Sequence, residues 1–419
     1  MWKQPWSYKE GFAISIGLVF VGLLLQFSVG AISTQFLQYP TNLVVGIIYI
    51  MLVIALSVWS KKNKTLHWFS RMEASISSMT IFLLLVVIMG LTRQEVTPDK
   101  SGLLGILGFK NMLSSWSFIL IFVYMNTVLG LVTMRRLRHF RLKKDLPFFL
   151  NHFGLFMTLT AAVLGTADMH RYQMVVEKGS TEWRVTNEEG KMVEMDLAVE
   201  LHNFTIEEYP PKLMIIDNET GKTLPENQPE NLLVESAPVK GQIMGYKIEV
   251  LQQIEDAAPV LGAENMKFVA YHSEGATAAV LVKVTDIKKG TTIEGWVSGG
   301  SYLFPYRALP INDQVSLVMP DREPKRFASD VTIYTKDGQN INSIIEVNKP
   351  QKVNGWKIYQ ISYDEQKGKW SNISKFELIK DPWIIWVYAG IILMISGALT
   401  LFIVGKPAAK DDEKNISTT

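Results

Sequence analysis

The interval between Glu10 and Lys61 contains no charged residue, and this feature limits most strongly how the chain can fold. It holds two apolar runs of the length that an α-helix needs to cross the hydrocarbon core of a bilayer, about 20 residues each. Comparable runs follow in the first part of the chain and near its carboxyl end. We predict six transmembrane helices, at residues 11–31, 43–59, 76–92, 116–134, 148–167 and 382–405.

Positive charges are concentrated in alternate connections between these helices. One connection carries cations between Lys61 and Arg71, and another carries six between Arg135 and Lys144. Connections rich in Lys and Arg remain in the cytoplasm, so we expect a multi-pass protein of the cytoplasmic (inner) membrane with both termini inside. Residues 168–381 then lie outside the cytoplasm. No small-residue cleavage site follows the first apolar run, which indicates a retained helix and not a removed signal peptide.

Residues 168–381 show short segments of alternating polarity, as in Tyr172–Glu177, Lys191–Leu197 and Val331–Thr335. Such segments, separated by turn sequences, are typical of β-strands. We therefore predict a six-helix α transmembrane bundle with a large, mostly antiparallel β-rich extracytoplasmic domain inserted between helices 5 and 6. The polar residues 406–419 are expected to form a disordered cytoplasmic tail.

Composition excludes several classes of function. The formal net charge of +2 is too small to indicate nucleic-acid binding, and the chain has no cysteine, which excludes disulfides, thiolate metal sites and thiol redox chemistry. The sequence also lacks a phosphate-binding loop, a nucleophile elbow, a zinc-binding helix motif and a cysteine motif for haem attachment. We do not expect this chain to catalyse a reaction alone.

His152 is the one histidine within the predicted helices, none of which contains Asp, Glu, Lys or Arg. An ionisable residue inside a membrane marks a functional site by default, and imidazole is a common ligand of transition metals and of haem iron. The structural alternative is a hydrogen bond from the ring to water, a headgroup or a neighbouring helix. Gly154, which follows closely, leaves room for a flat ligand against the helix.

The other histidines have structural explanations. His67 lies in a cytoplasmic connection that is compatible with an interfacial amphipathic segment, and His139 lies among cations, where it is expected to meet lipid phosphate. No two of His170, His202 and His272 have the spacing of metal ligands.

One segment carries a family resemblance. Asn151–Phe156, at the start of a helix that leads into the β-rich region, resembles the His-x-Gly-Leu helix of the ResB/CcsB family of cytochrome c biogenesis proteins. Four further segments resemble the closing strands and last helix of that family: Gly355–Gln360, Ser362–Asp364, Lys380–Trp383 and Val387–Gly390. The resemblance covers roughly residues 146–405, and Glu208–Leu213 is similar to members encoded beside a separate CcsA-type subunit.

This resemblance implies a subunit of the System II cytochrome c synthase, which exports haem b and delivers it to apocytochrome c. The chain would be a non-catalytic or co-catalytic subunit of this haem lyase complex. A CcsA-type partner would supply the tryptophan-rich haem-binding segment, which none of the eleven tryptophans here forms. His152 matches the family's membrane histidine and is the expected axial ligand of the haem iron.

Four cations of the basic connection are expected to contact haem propionates: Arg138, Arg141, Lys143 and Lys144. Membrane topology explains the same cations without haem. The first two predicted helices exceed what many family members carry, so their role stays open.

Two other classes of function remain open at this point. The chain is compatible with a membrane-anchored extracytoplasmic sensor or assembly scaffold that binds no haem. A transporter is less favoured, because the predicted helices contain no relay of charged residues and show no inverted repeat.

Overall fold

The computed structural model describes residues 2–95, 102–261 and 266–404. The chain divides into two compact units. The helical unit comprises Met1–Arg171, Glu188–Gly190 and Ile379–Thr419, and the β unit comprises Tyr172–Asn187 and Lys191–Leu378. The predicted tail at residues 406–419 lies outside the described residues, as does the side chain of Lys143.

Six long helices and two short ones are found within the described ranges. They are α1 (Tyr8–Val29), α2 (Thr41–Trp59), α3 (Lys64–Trp68), α4 (Met72–Leu91), α5 (Gly102–Ile106), α6 (Trp116–Leu137), α7 (Leu142–Gly165) and α8 (Ile384–Val404). The six long helices have the length and apolar composition needed to cross a membrane. Together with the β unit, they confirm the prediction of a membrane protein with a β-rich domain.

Four of the long helices, α1, α2, α4 and α7, begin before the apolar runs that predict them. In two of these, α1 and α7, a carboxylate caps the first turn. In α1, Glu10 Oε2 accepts a hydrogen bond of 2.8 Å from the backbone N–H of Ser7, which forms a capping box. In α7, Asp145 Oδ2 accepts a hydrogen bond of 2.8 Å from the backbone N–H of Arg141. This cap supports a polar turn ahead of Pro147, so His152 lies about three turns into α7.

Small residues bring the long helices into backbone contact. A Cβ atom added to Gly22 of α1 would lie 2.4 Å from Cα of Ser117 in α6, and one added to Gly390 of α8 would lie 2.7 Å from the carbonyl oxygen of Gly154 in α7. A Cβ atom added to Gly397 would lie 2.7 Å from the backbone nitrogen of Asn151. Such contacts are typical of helix packing in membranes. They also correct the expectation for Gly154, because α8 fills the space beside it that we assigned to a flat ligand.

The described strands are 2 to 17 residues long. They are β1 (His170–Glu177), β2 (Thr181–Asn187), β3 (Met192–Glu208), β4 (Lys212–Asp217), β5 (Thr223–Leu224), β6 (Asn231–Leu233), β7 (Val239–Ile243), β8 (Tyr246–Leu261), β9 (Met266–Ala270), β10 (Thr277–Asp286), β11 (Thr292–Ser298), β12 (Leu309–Pro310), β13 (Val315–Val318), β14 (Pro324–Thr335), β15 (Asn340–Glu346), β16 (Gln351–Val353), β17 (Trp356–Tyr363) and β18 (Ile373–Lys380).

Within the described residues these strands form three sheets. The largest has the order β15-β14-β3-β2-β1-β18-β17-β16, a second has β11-β10-β8-β7 with β9 beside β8, and a third has β12-β13-β4-β5 with β6 beside β4. Antiparallel pairing joins β3 to β14 and β8 to β10. Both pairs contain register shifts, which bend long strands.

Two large apolar cores, and a smaller cluster around Phe268, are found among the described residues of the β unit. Ile345 of β15 and Val353 of β16, the two edge strands of the largest sheet, belong to the same buried cluster as Leu201 and Phe376. This sheet therefore curls around its own core. The second core joins the other two sheets, with Ile215 of β4 packed in one cluster with side chains of β8 and β10.

Candidate functional site

The helical unit contains a cleft of about 900 Å³ around His152, which we call the basic cleft. Its walls come from α3, the start of α4, the end of α6 and the start of α7. The lining residues are His67, Ser70, Arg71, Met72, Ser75, Val132, Arg135, Arg136, His139, Arg141, Lys144, Asp145, Phe148 and His152. The volume lies within the range of small-molecule and cofactor sites, about 300–1,000 Å³.

Charge in the basic cleft is strongly positive. Five cationic side chains line it, and Asp145 is its one carboxylate. Asp145 is only 3% exposed, and its Oδ1 lies 2.5 Å from Nη2 of Arg136. The guanidinium of Arg136 also lies 5.5 Å from the ring centroid of Phe148. Arg136 is thus held by a carboxylate and an aromatic face, and Arg71 pairs with Glu73 at 2.9 Å. The remaining positive charge favours an anionic ligand.

The His152 ring has a defined orientation at the apolar side of this cleft. Its Nδ1 lies 3.0 Å from the carbonyl oxygen of Phe148, one turn earlier in α7, and its ring stacks on that of Phe148 with centroids 3.8 Å apart. A carbonyl can only accept, so this contact assigns the proton to Nδ1 and leaves the lone pair of Nε2 free. Metal-bound histidines usually donate their other ring N–H in this way.

The predicted propionate contacts do not all reach the basic cleft. Arg141 and Lys144 line it together with His152. Arg138 lies half-buried outside the lining, because its Nη2 donates a hydrogen bond to Ser57 Oγ of α2. The side chain of Lys143 lies outside the described residues. The roles of His152, Arg138, Arg141, Lys143 and Lys144 stay predictions.

Sequence reasoning missed several members of the cleft. His67, His139 and Arg71 were assigned separate structural roles, yet the fold brings all three to the cleft that His152 lines. The predicted topology could have indicated this grouping, because all the connections predicted for one side of the membrane must meet at one end of the bundle. Among the described residues, no group of three or more His, Asp or Glu side chains has the geometry of a metal site.

The remaining histidines serve other contacts. His202 Nε2 lies 2.6 Å from Thr332 Oγ1, and His272 Nδ1 lies 3.7 Å from Asp256 Oδ2 in the β unit. His170 lines a second cavity of the helical unit.

This second cavity is mostly apolar, has a volume of about 690 Å³ and lies between α2, α7 and α8. Asp168 closes its polar end. Its Oδ2 accepts hydrogen bonds from Nδ2 of Asn42 at 2.7 Å and from Nε1 of Trp383 at 2.8 Å, and its Oδ1 accepts from the backbone N–H of Tyr39 at 2.8 Å. Three donors thus satisfy this carboxylate, which joins the end of α7 to α2 and to the start of α8.

The β unit has a cavity of about 460 Å³ with a mixed polar and aromatic lining. Burial raises the pKa of the Glu208 carboxyl there above its ordinary value of 4.5, and the Arg322 guanidinium, with Nε 3.5 Å from Oε2, only partly opposes this. Arg322 also pairs with Glu255, because its Nη1 donates a hydrogen bond of 2.7 Å to Glu255 Oε2.

Comparison with known proteins gives one family match. Residues 274–373 match the ResB-like family. This segment lies in the β unit and includes Gly355–Gln360 and Ser362–Asp364, but it does not include His152. A comparison with curated proteins finds no match. The family match confirms the predicted resemblance to the ResB/CcsB family and supports an involvement in cytochrome c biogenesis.

Proposed function

We propose that this chain is the ResB-type subunit of a System II cytochrome c synthase. It holds haem in the membrane through His152 and, with a CcsA-type partner, delivers it to exported apocytochrome c. The observation that carries this proposal is the imidazole of His152, whose Nδ1 faces a carbonyl and whose Nε2 is free, in a cleft rich in cations. The ResB-like match supports the proposal independently.

The chemistry of haem suits both parts of the cleft. Its apolar ring pairs with side chains such as Phe148 and Val132, and its two propionates pair with guanidinium and ammonium groups by charge-assisted hydrogen bonds. His152 Nε2 would supply one axial bond to iron. The second axial histidine comes from the partner, as the resemblance implies.

The membrane orientation belongs to this proposal. The basic cleft lies where the connections rich in Lys and Arg meet, which is the cytoplasmic side by the positive-inside rule. Haem is therefore captured near the cytoplasmic face, and the β unit lies on the side where apocytochrome c is exported.

The decisive experiment is His152→Ala in the chain co-expressed with its CcsA-type partner. Haem absorbance of the purified complex and the yield of holocytochrome c are measured together. We expect both to be lost, and added imidazole to restore both, since it can replace the missing axial ligand. His202→Ala in the β unit is the matched control and is expected to retain both. Normal yield in His152→Ala without imidazole would falsify the proposal and leave the scaffold alternative.

Charge provides a second, smaller test. We expect Arg141→Gln with Lys144→Gln to lower haem co-purification about tenfold, because two charge-assisted contacts to propionates are lost at about 1 kcal/mol or less each in partly exposed sites. Arg138→Gln removes one positive charge from a side chain that is bound to Ser57 and lies outside the lining, and it is the single-charge control. Unchanged haem content in the double variant would remove the propionates from the proposal but would leave His152 in place.

A further inference from the structure

A separate cavity of about 580 Å³ lies beside the basic cleft and shares His67 and Arg71 with it. We call it the lysine cavity. One wall is the segment before α1, with Trp6, and the other is the connection from α2 through α3 to α4. Lys61, Lys62 and Lys64 line it with Arg71, and no acidic side chain does so within the described residues.

The aromatic floor of the lysine cavity is preformed. Trp68 is only 3% exposed, and its Nε1 donates a hydrogen bond of 3.0 Å to the carbonyl oxygen of Trp6. The two indole rings pack edge to face with centroids 5.3 Å apart. Gln4 Nε2 donates a hydrogen bond of 2.6 Å to Thr65 Oγ1, which fixes the amino-terminal segment against α3. The walls therefore need no rearrangement to receive a ligand.

Donors in this cavity lack acceptors. The ammonium groups of Lys61, Lys62 and Lys64 have no carboxylate within salt-bridge distance in the described parts of the chain, whereas Arg71 pairs with Glu73 at 2.9 Å. Three like charges around one cavity repel each other. An anion in the cavity would compensate this repulsion.

Apolar surroundings decide which kind of anion fits. The cavity lies where α2 ends and α4 begins, and both helices are long and apolar enough to cross a membrane. Tryptophan rings favour the boundary between headgroups and acyl chains, and clusters of Lys and Arg beside a transmembrane helix attract anionic lipids. A ligand with a phosphate and an adjoining apolar part matches the whole lining.

We propose that the lysine cavity is a binding site for the headgroup of an anionic phospholipid of the same membrane. The phosphate lies among Lys61, Lys62 and Lys64, and the glycerol and acyl region lies against Trp6 and Trp68. The bound lipid neutralises this end of the bundle next to the basic cleft.

The test uses the full chain in neutral detergent, titrated with phosphatidylglycerol or phosphatidylcholine of identical acyl chains and measured by native mass spectrometry. We expect the wild type to prefer phosphatidylglycerol. The triple variant Lys61→Gln, Lys62→Gln, Lys64→Gln is expected to lose this preference by about tenfold or more, since lysines beside a transmembrane helix attract anionic lipids. Lys283→Gln, Lys288→Gln, Lys289→Gln removes the same charge from the β unit and is expected to behave as the wild type.

Equal affinity of the wild type for the two lipids, or equal losses in both triple variants, would overturn the proposal. Displacement of bound phosphatidylglycerol by millimolar inorganic phosphate would also overturn it, in favour of a free-phosphate site. Trp6→Phe tests the floor separately and is expected to weaken binding less than the triple variant, because it removes only part of one aromatic surface and no charge. His152→Ala is expected to keep the lipid preference, so this result is independent of the haem proposal.

Discussion

The two units of this protein are stabilised by different kinds of interior. In the β unit, Leu201, Ile345 and Phe376 are completely buried in one apolar cluster. In the helical unit, α7 and α8 meet through backbone atoms at Gly154 and Gly390. Burial of apolar surface drives folding in water, whereas helices in lipid gain little from it and associate through close packing and hydrogen bonds. A loss of side-chain volume should therefore destabilise the β unit, whereas added side-chain volume should destabilise the contacts between helices.

The largest expected effect is on the apolar core of the β unit. Ile345→Ala leaves a cavity in a completely buried cluster and should lower the free energy of unfolding by about 2–5 kcal/mol. Hydrogen exchange measured by mass spectrometry should show faster exchange in residues 191–378 and unchanged exchange in α1 and α6. Ile344→Ala is the matched control, because this neighbour in the same strand is 61% exposed and should change stability by less than about 0.5 kcal/mol. Equal effects of both variants would contradict the assigned core.

The helical unit should respond to added volume. In Gly390→Ala the new Cβ atom would lie 2.3 Å from Thr158 Oγ1 and 2.7 Å from the carbonyl oxygen of Gly154, so α7 and α8 must separate. We expect a cost of about 1–3 kcal/mol, faster hydrogen exchange in both helices and lower haem binding, since His152 is positioned by α7. Gly90→Ala in α4 has open space around it and should be neutral or stabilising by up to about 1 kcal/mol. If Gly390→Ala binds haem as the wild type does, the contact between α7 and α8 does not position His152.

The smallest effect concerns pH and lies in the β unit. The pKa of Glu208 is raised by burial in the folded chain, so the folded state binds its proton more tightly than the unfolded state does. Its contribution to stability is complete below the ordinary pKa of 4.5 and is lost as pH rises through the raised folded value. The midpoint of thermal unfolding measured at increasing pH should therefore fall less in Glu208→Gln than in the wild type. Glu365→Gln, an exposed carboxyl of the same cavity, should follow the wild type.

Helix ends and helix contacts differed in how well they could be predicted. Apolar runs place the long helices because a membrane requires them, and the strand of Val331–Thr335 follows from local alternation. The starts of α1 and α7 lie earlier than the apolar runs, although the capping pairs at Ser7 and Asp145 could have been read in advance. No single segment indicates the basic cleft, because its walls come from connections far apart in sequence, and the predicted topology indicates only that these connections meet at one end of the bundle.

By itself, the sequence determined the membrane class of this protein, its β-rich domain and the resemblance to the ResB/CcsB family, since each depends on residues close together in the chain. Only the tertiary structure decided which side chains share a site. In the folded chain, His67 and Arg71 line the same cleft as His152. Arg138 donates a hydrogen bond to Ser57, and Gly154 contacts α8. The physical reason is that a side chain's partners are set by packing between distant segments, which no local pattern encodes.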